Sequence, residues 1–185
     1  MVGREQENVE ESLTEELLLE DRKAVINRMM DLHGQDTLQL VYSYVKNKEI
    51  AEDLTQEIFI KCYKSLHQFN RKAKLKTWLW RIAVNHCKDY LRSWHYRNMK
   101  VADEQARSAA SLREDVENKV IQQEEDEQLA SAVMDLPDIY REVIYLYFFE
   151  EHPIKEISYM INLNQNTVKT RLKRAKELLK ERLEE

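Results

Sequence analysis

Asn166, Thr170, Lys173 and Arg174 recur at three- and four-residue spacing near the C-terminus. On a helix they share one face, with Thr167 and Lys169 flanking it. Val168, Leu172, Ala175 and Leu179 fall opposite and face inward. Amide, hydroxyl and cationic groups on one outward face can meet base edges and phosphates in a major groove. The bland alternative is a solvated face on a bundle helix. The preceding residues favour the first reading: Ile154–Ile161 is a short apolar-striped helix, then Asn162-Leu-Asn164 makes a tight turn. Two helices so joined form a helix-turn-helix. Asn162 tolerates the left-handed conformation such a turn requires, and Asn164 has an N-cap side chain.

A second constellation lies earlier. From Thr77 to His95, Arg81, Asn85, Lys88, Arg92 and His95 fall on one helical face, opposite Leu79, Ile82, Ala83, His86 and Tyr90. Trp78, Trp80, Trp94 and Tyr96 are interleaved with this basic stripe. Cations follow a phosphate backbone and aromatic faces stack on unpaired bases, so the mixture suits single-stranded or melting DNA better than intact duplex. The competing reading makes the tryptophans core residues, above all Trp78 and Trp94, which lie nearer the apolar face. His86 is better read as a core histidine than as a ligand. On the helix before it, Ala51, Thr55, Ile58, Phe59, Cys62 and Tyr63 point one way. Asp53, Gln56, Glu57, Ile60 and Lys64 point the other. An isoleucine amid polar and acidic groups suggests a protein-binding patch.

The elements that position these residues are all helical. The 185 residues include only two glycines and two prolines. Sandwiches, barrels and doubly wound sheets need many turns bearing such residues. Glycine-rich phosphate loops are excluded because Gly3 and Gly34 stand alone. The apolar pattern predicts helices near 24–33, 36–46, 49–67 and 77–95, then near 127–135, 138–150, 153–161 and 165–182. Pro137 and Pro153 suit helix first turns. Cys62 and Cys87 provide neither a disulfide framework nor metal-ligand spacing and read as small buried hydrophobes. No cofactor or metal constellation and no nucleophile–base pair is present, so catalysis is not expected. The N-terminus lacks a secretory pattern and no apolar run reaches membrane-span length, which predicts a soluble cytoplasmic protein without membrane insertion.

The net charge of −5 hides strong segregation. Residues 1–21 carry −7, residues 61–100 carry +10, residues 101–128 carry −6 and residues 164–182 carry +5. Two basic blocks around an acidic one imply two polyanion-binding surfaces joined by a polar connector. The expected fold is all-α: an acidic extension over 1–23, a helical domain over 24–100, a linker over 101–128, and a helix-turn-helix domain over 129–185.

Glu52-Asp-Leu-Thr-Gln-Glu-Ile-Phe-Ile-Lys-Cys-Tyr63, then Phe69, then Lys76-Thr-Trp-Leu-Trp-Arg-Ile-Ala-Val-Asn-His86, resembles region 2 of bacterial sigma factors. Leu136-Pro-Asp-Ile-Tyr-Arg-Glu-Val-Ile144 and Asn166-Thr-Val-Lys-Thr-Arg-Leu-Lys-Arg-Ala175 resemble region 4. With the connector in place of region 3, the arrangement resembles the extracytoplasmic-function (ECF) group of the sigma-70 family. The resemblance implies that Asp53, Gln56, Glu57 and Ile60 dock on the clamp helices of the largest subunit of core RNA polymerase. It implies a −10 DNA site comprising Phe69, Asn70, Lys74, Lys76, Thr77, Trp80, Arg81, Asn85, Lys88 and Arg92. It implies a −35 site comprising Lys155, Asn166, Thr167, Lys169, Thr170, Arg171, Lys173 and Arg174. Promoter DNA and an anti-sigma factor are the other partners it implies, the latter a possible membrane tether. Glu151 and Pro153 depart from the family's Gly and Ser, and the first 23 residues match no family motif. The alternative function is a stand-alone helix-turn-helix repressor or activator, which leaves the acidic patch and the Trp-rich block unexplained.

Overall fold

The computed structural model describes residues 21–102 and 122–184, with side chains at 21–94 and 128–184. The described residues are helical, without strands. Helix α1 spans Arg22–Val45, α2 Lys48–Ser65 and α3 Leu75–Ala102. A 3-10 turn at Leu66–Gln68 follows α2. Helix α4 spans Gln122–Met134, α5 Asp138–Ile144, α6 Ile154–Ile161 and α7 Gln165–Leu183.

The two short helices expected near 24–33 and 36–46 are one continuous helix. Gly34 weakens a helix interior by about 1 kcal/mol relative to Ala. Burial of Val25, Ile26, Met29, Leu40, Val41 and Tyr44 on both sides of it outweighs that cost. Lys46 turns left-handed at φ 53° and ends α1. Asn47 then caps α2, its side chain accepting from the Ile50 amide at 2.9 Å. Helices α1, α2 and α3 pack mutually around Leu54, Ile58, Phe59, Leu79, Ala83 and Val84.

The chain between 103 and 121, most of the expected linker, lies outside the described residues, as do residues 1–20 of the expected extension. Helix α4 begins at Gln122, inside the expected linker boundary. Helix α5 is shorter than the helix expected over 138–150, because Tyr145–Phe149 winds into a π-helical turn. The Glu150 amide donates to the Tyr145 carbonyl at 3.1 Å, an i to i+5 bond. Glu151 then adopts φ 53°, a conformation open to glycine at no cost and strained for a glutamate. That is the position where the family's glycine is absent.

The two helical groups share an interface. Helix α3 packs against α6, and α1 against α5. The buried side chains of both groups form one continuous core. The expectation of two helical units holds, but they are closed on each other rather than only strung along a connector.

Candidate nucleic-acid and polymerase interface

The helix-turn-helix forms from the residues that predicted it. Asn162 is left-handed at φ 55°, and its amide donates to the Ser158 carbonyl. The Asn164 side chain accepts from the Thr167 amide at 2.8 Å and from its hydroxyl at 3.0 Å. Val168, Leu172 and Ala175 are buried, so α7 presents the opposite face to solvent. Asn166, Lys169, Thr170, Lys173 and Arg174 are exposed there, and Lys155 is exposed on α6. Thr167 is half-buried, its amide and hydroxyl both donating to the Asn164 cap. Arg174 is held over its own helix by Glu177 at 3.2 Å and Glu181 at 3.4 Å. Arg171 departs from the set: its Nη1 lies 3.1 Å from Glu142 of α5. A half-buried guanidinium committed to a buried carboxylate braces α7 against α5.

The acidic patch on α2 is intact. Ala51, Leu54, Ile58, Phe59 and Cys62 are buried, while Asp53, Gln56, Glu57 and Ile60 are exposed on one face. Ile60 is 52% exposed. Tyr63, expected on the buried face with Cys62, is instead exposed and continues the patch one turn on, because seven residues after Gln56 it returns to the same side of the helix. Glu57 is held by His86 Nε2 at 2.8 Å, and His86 Nδ1 meets Lys61 Nζ at 2.6 Å. His86 thus ties the patch on α2 to α3, where a core histidine was expected.

The ten residues expected to hold the −10 strand divide in two. Asn70, Lys74, Asn85 and Arg92 are exposed, and Phe69 is partly buried, tilted against Trp78 with ring centroids 5.5 Å apart. Lys76, Thr77, Trp80, Arg81 and Lys88 instead meet the helix-turn-helix domain. Trp80 is fully buried, between His33 on α1 and His152 before α6, with centroids at 5.7 and 6.1 Å. This corrects its expected place on the exposed stripe: one step around α3 from the cations, its ring is enclosed by both domains. Trp78 is a core residue and Trp94 is exposed. Lys76 Nζ lies 3.3 Å from Glu150, and the Thr77 hydroxyl donates to Glu156 at 2.9 Å. Arg81 stacks over the Tyr159 ring at 4.3 Å, and Lys88 reaches Glu142 at 2.8 Å.

Electrostatics follows from this closure. Burial, aided by the Lys76 charge, lowers the His33 pKa to about 4. The hydrogen bond from His152 holds the Glu156 carboxyl below its ordinary value, against the opposing effect of burial. Burial raises Glu150, and Lys76 offsets part of the rise. Cys62 and Cys87 are buried free thiols, pushed by burial up to about 12, which matches their reading as small hydrophobes. Glu142 is the residue that sequence reasoning missed. It is an acid directly before the apolar run Val143–Leu146, and such a buried charge needs partners.

Comparison with known proteins agrees with the geometry. A family model for sigma-70 region 2 matches residues 29–95, and one for sigma-70, region 4, matches residues 126–179. The chain is 32% identical over 155 residues to the ECF RNA polymerase sigma factor SigM of Bacillus subtilis, covering 84% of this chain and 93% of that one. It is 30% identical over 181 residues to the ECF RNA polymerase sigma-E factor of Escherichia coli K12, covering 91% and 94%. Two solved structures share the fold. They are the sigma factor RpoE with the anti-sigma factor NepR from Bartonella quintana (TM-score 0.67, 21% identity, 85% and 96% covered) and CnrH with the cytosolic domain of CnrY (TM-score 0.63, 22% identity, 88% and 89% covered). The two matched regions, in this order in one helical chain, define a sigma-70-type transcription initiation factor. Within that class, the chain belongs to the ECF RNA polymerase sigma factors. Among the described residues, no helix is long and apolar enough to cross a membrane.

Proposed function

We propose that this chain binds core RNA polymerase through Asp53, Gln56, Glu57 and Ile60 and directs it to promoters. Residues of α7, with Lys155, read the −35 element, and the loop 69–76 with the exposed side of α3 holds the opened −10 strand. The observation that carries this reading is the presence of both matched regions in one chain, each carrying a cation-bearing helix. Each region binds DNA modestly. Held together on polymerase, the second contact becomes intramolecular and gains effective concentration. Capture of an unpaired base replaces duplex stacking with stacking on protein, which favours the melted state. The role is binding rather than catalysis, and its place is the cytoplasm, where polymerase works. An anti-sigma factor is the partner that would hold the chain inactive.

Run-off transcription with purified core polymerase tests the proposal. Initiation from defined start sites that depends on this chain is the expected result. Absence of initiation, with repression of an already competent polymerase, would favour the stand-alone regulator. Asp53→Ala with Ile60→Ala is expected to lower co-purification with core enzyme without loss of helix content. Undiminished co-purification would place the polymerase contact elsewhere.

A further inference from the structure

Glu57 and Lys61 stand one turn apart on α2, and His86 of α3 lies between them. His86 Nε2 is 2.8 Å from Glu57 Oε2, and its Nδ1 is 2.6 Å from Lys61 Nζ. The histidine side chain is 11% exposed, whereas that of Glu57 is 60% exposed. An ammonium group donates and never accepts, so Nδ1 is the accepting nitrogen. The proton then sits on Nε2, which donates to the carboxylate. The two neighbours thus fix a neutral ring in one tautomer. The groove around it is bounded by Asp53, Glu57 and Lys61 from α2 and by Asp89 and Tyr90 from α3. Asp89 is turned toward Arg92 at 3.4 Å.

An exposed glutamate samples many rotamers, and ordering it on binding costs entropy. A carboxylate already held by an enclosed ring loses less. We propose that His86 is a positioning residue for the polymerase-binding patch, holding Glu57 ready while the ring is neutral and weakening holoenzyme assembly when acid pH protonates it. This rests on the assignment of Asp53, Gln56, Glu57 and Ile60 made above. The sign follows from the charges. With Asp89 balanced by Arg92, the groups around the neutral ring leave one net negative charge. A proton on Nδ1 cancels that charge and sets an N–H against the Lys61 ammonium, so Lys61 must leave. An acidic patch that attracts a basic partner surface is weaker in that state. Histidine is the side chain that changes charge within about pH 5–8, so the change falls where both proteins can be assayed folded.

The test is equilibrium binding of the full chain to core polymerase, titrated at pH 8, 7 and 6. His86→Ala is expected to weaken binding at pH 8, and His86→Gln, which offers an amide donor and acceptor without charge, to rescue it. From pH 8 to pH 6 the affinity of the parent chain should fall about two- to fivefold relative to His86→Gln, the range that one partly exposed ion pair carries. Taking the ratio at each pH cancels titration of the polymerase and of every other group in the chain. His86→Arg, cationic throughout, should show the weakened binding already at pH 8. Circular dichroism checks that each variant keeps its helix content. Superimposable pH profiles for the parent chain and His86→Gln would overturn the proposal, as would full affinity of folded His86→Arg at pH 8. Asp53→Ala with Ile60→Ala judges the patch itself. Undiminished co-purification of that variant removes the patch and this proposal together, whereas lowered co-purification with superimposable profiles removes the role of His86 alone.

Discussion

His33 shows how a single side chain records the closed arrangement. Its ring sits edge-on to Trp80, and its pKa is lowered to about 4 by burial first and by Lys76 second. The unfolded chain binds a proton near pH 6.5, while the folded chain resists it until about pH 4. Stability from this site is therefore complete above pH 6.5 and declines as pH falls through that value toward 4. His33→Phe keeps an aromatic ring and removes the titration. Thermal melts from pH 7.5 to 5 are expected to show a smaller drop in Tm for His33→Phe than for the parent chain. Equal drops would show that the ring is not shielded. The local sequence around His33 gives no sign of this, because Trp80 and Lys76 come from another helix.

At the scale of elements, the legible features were those with local causes. Asn162 supplies the left-handed turn and Asn164 the cap, both where their side-chain chemistry placed them. The exposed face of α2 was legible because its periodicity is unbroken from Asp53 to Ile60. The fusion of two expected helices into α1 was not, since a glycine reads as a break and only packing against α2 and α3 overrides it. Gly34 has no atom within 4 Å of where a Cβ would stand. Gly34→Ala is therefore expected to stabilise the fold by about 0.5–1 kcal/mol by reducing the freedom of the unfolded chain. Urea unfolding checks this, and an unchanged or lower midpoint would contradict it. Asn164→Ala removes the cap of α7 and is expected to cost about 1 kcal/mol. It should weaken −35 binding as well, since Asn166 and Thr170 lie on the turns it orders.

For the molecule as a whole, the pair of motifs announced the family. The closure of the two helical groups on each other was beyond local reading. Lys88 meets Glu142 across 54 positions and Thr77 meets Glu156 across 79. No periodicity within a helix encodes such partners. The same closure explains why Trp80 is fully enclosed. Salt dependence separates the two surfaces. Removing Lys169 and Lys173, both exposed on α7, is expected to make duplex binding by holoenzyme less steeply dependent on salt. An unaltered slope would remove these lysines from the phosphate contacts.

The central claim is that the exposed side of α3 holds the opened promoter strand. Asn85 and Arg92 test it most cleanly, because both are exposed and neither is among the stripe groups that contact region 4. The measurement is permanganate reactivity of −10 thymines in holoenzyme, on a promoter template selected by the reconstituted enzyme and on the same template with a pre-melted bubble. With Asn85→Ala and Arg92→Ala, reactivity on duplex should fall while −35 protection persists, and the bubble should restore much of the strand's capture because unstacking no longer has to be driven by protein contacts. Reactivity equal to that of the parent chain on duplex DNA would mean that the stripe is a solvated face and that promoter opening is supported elsewhere.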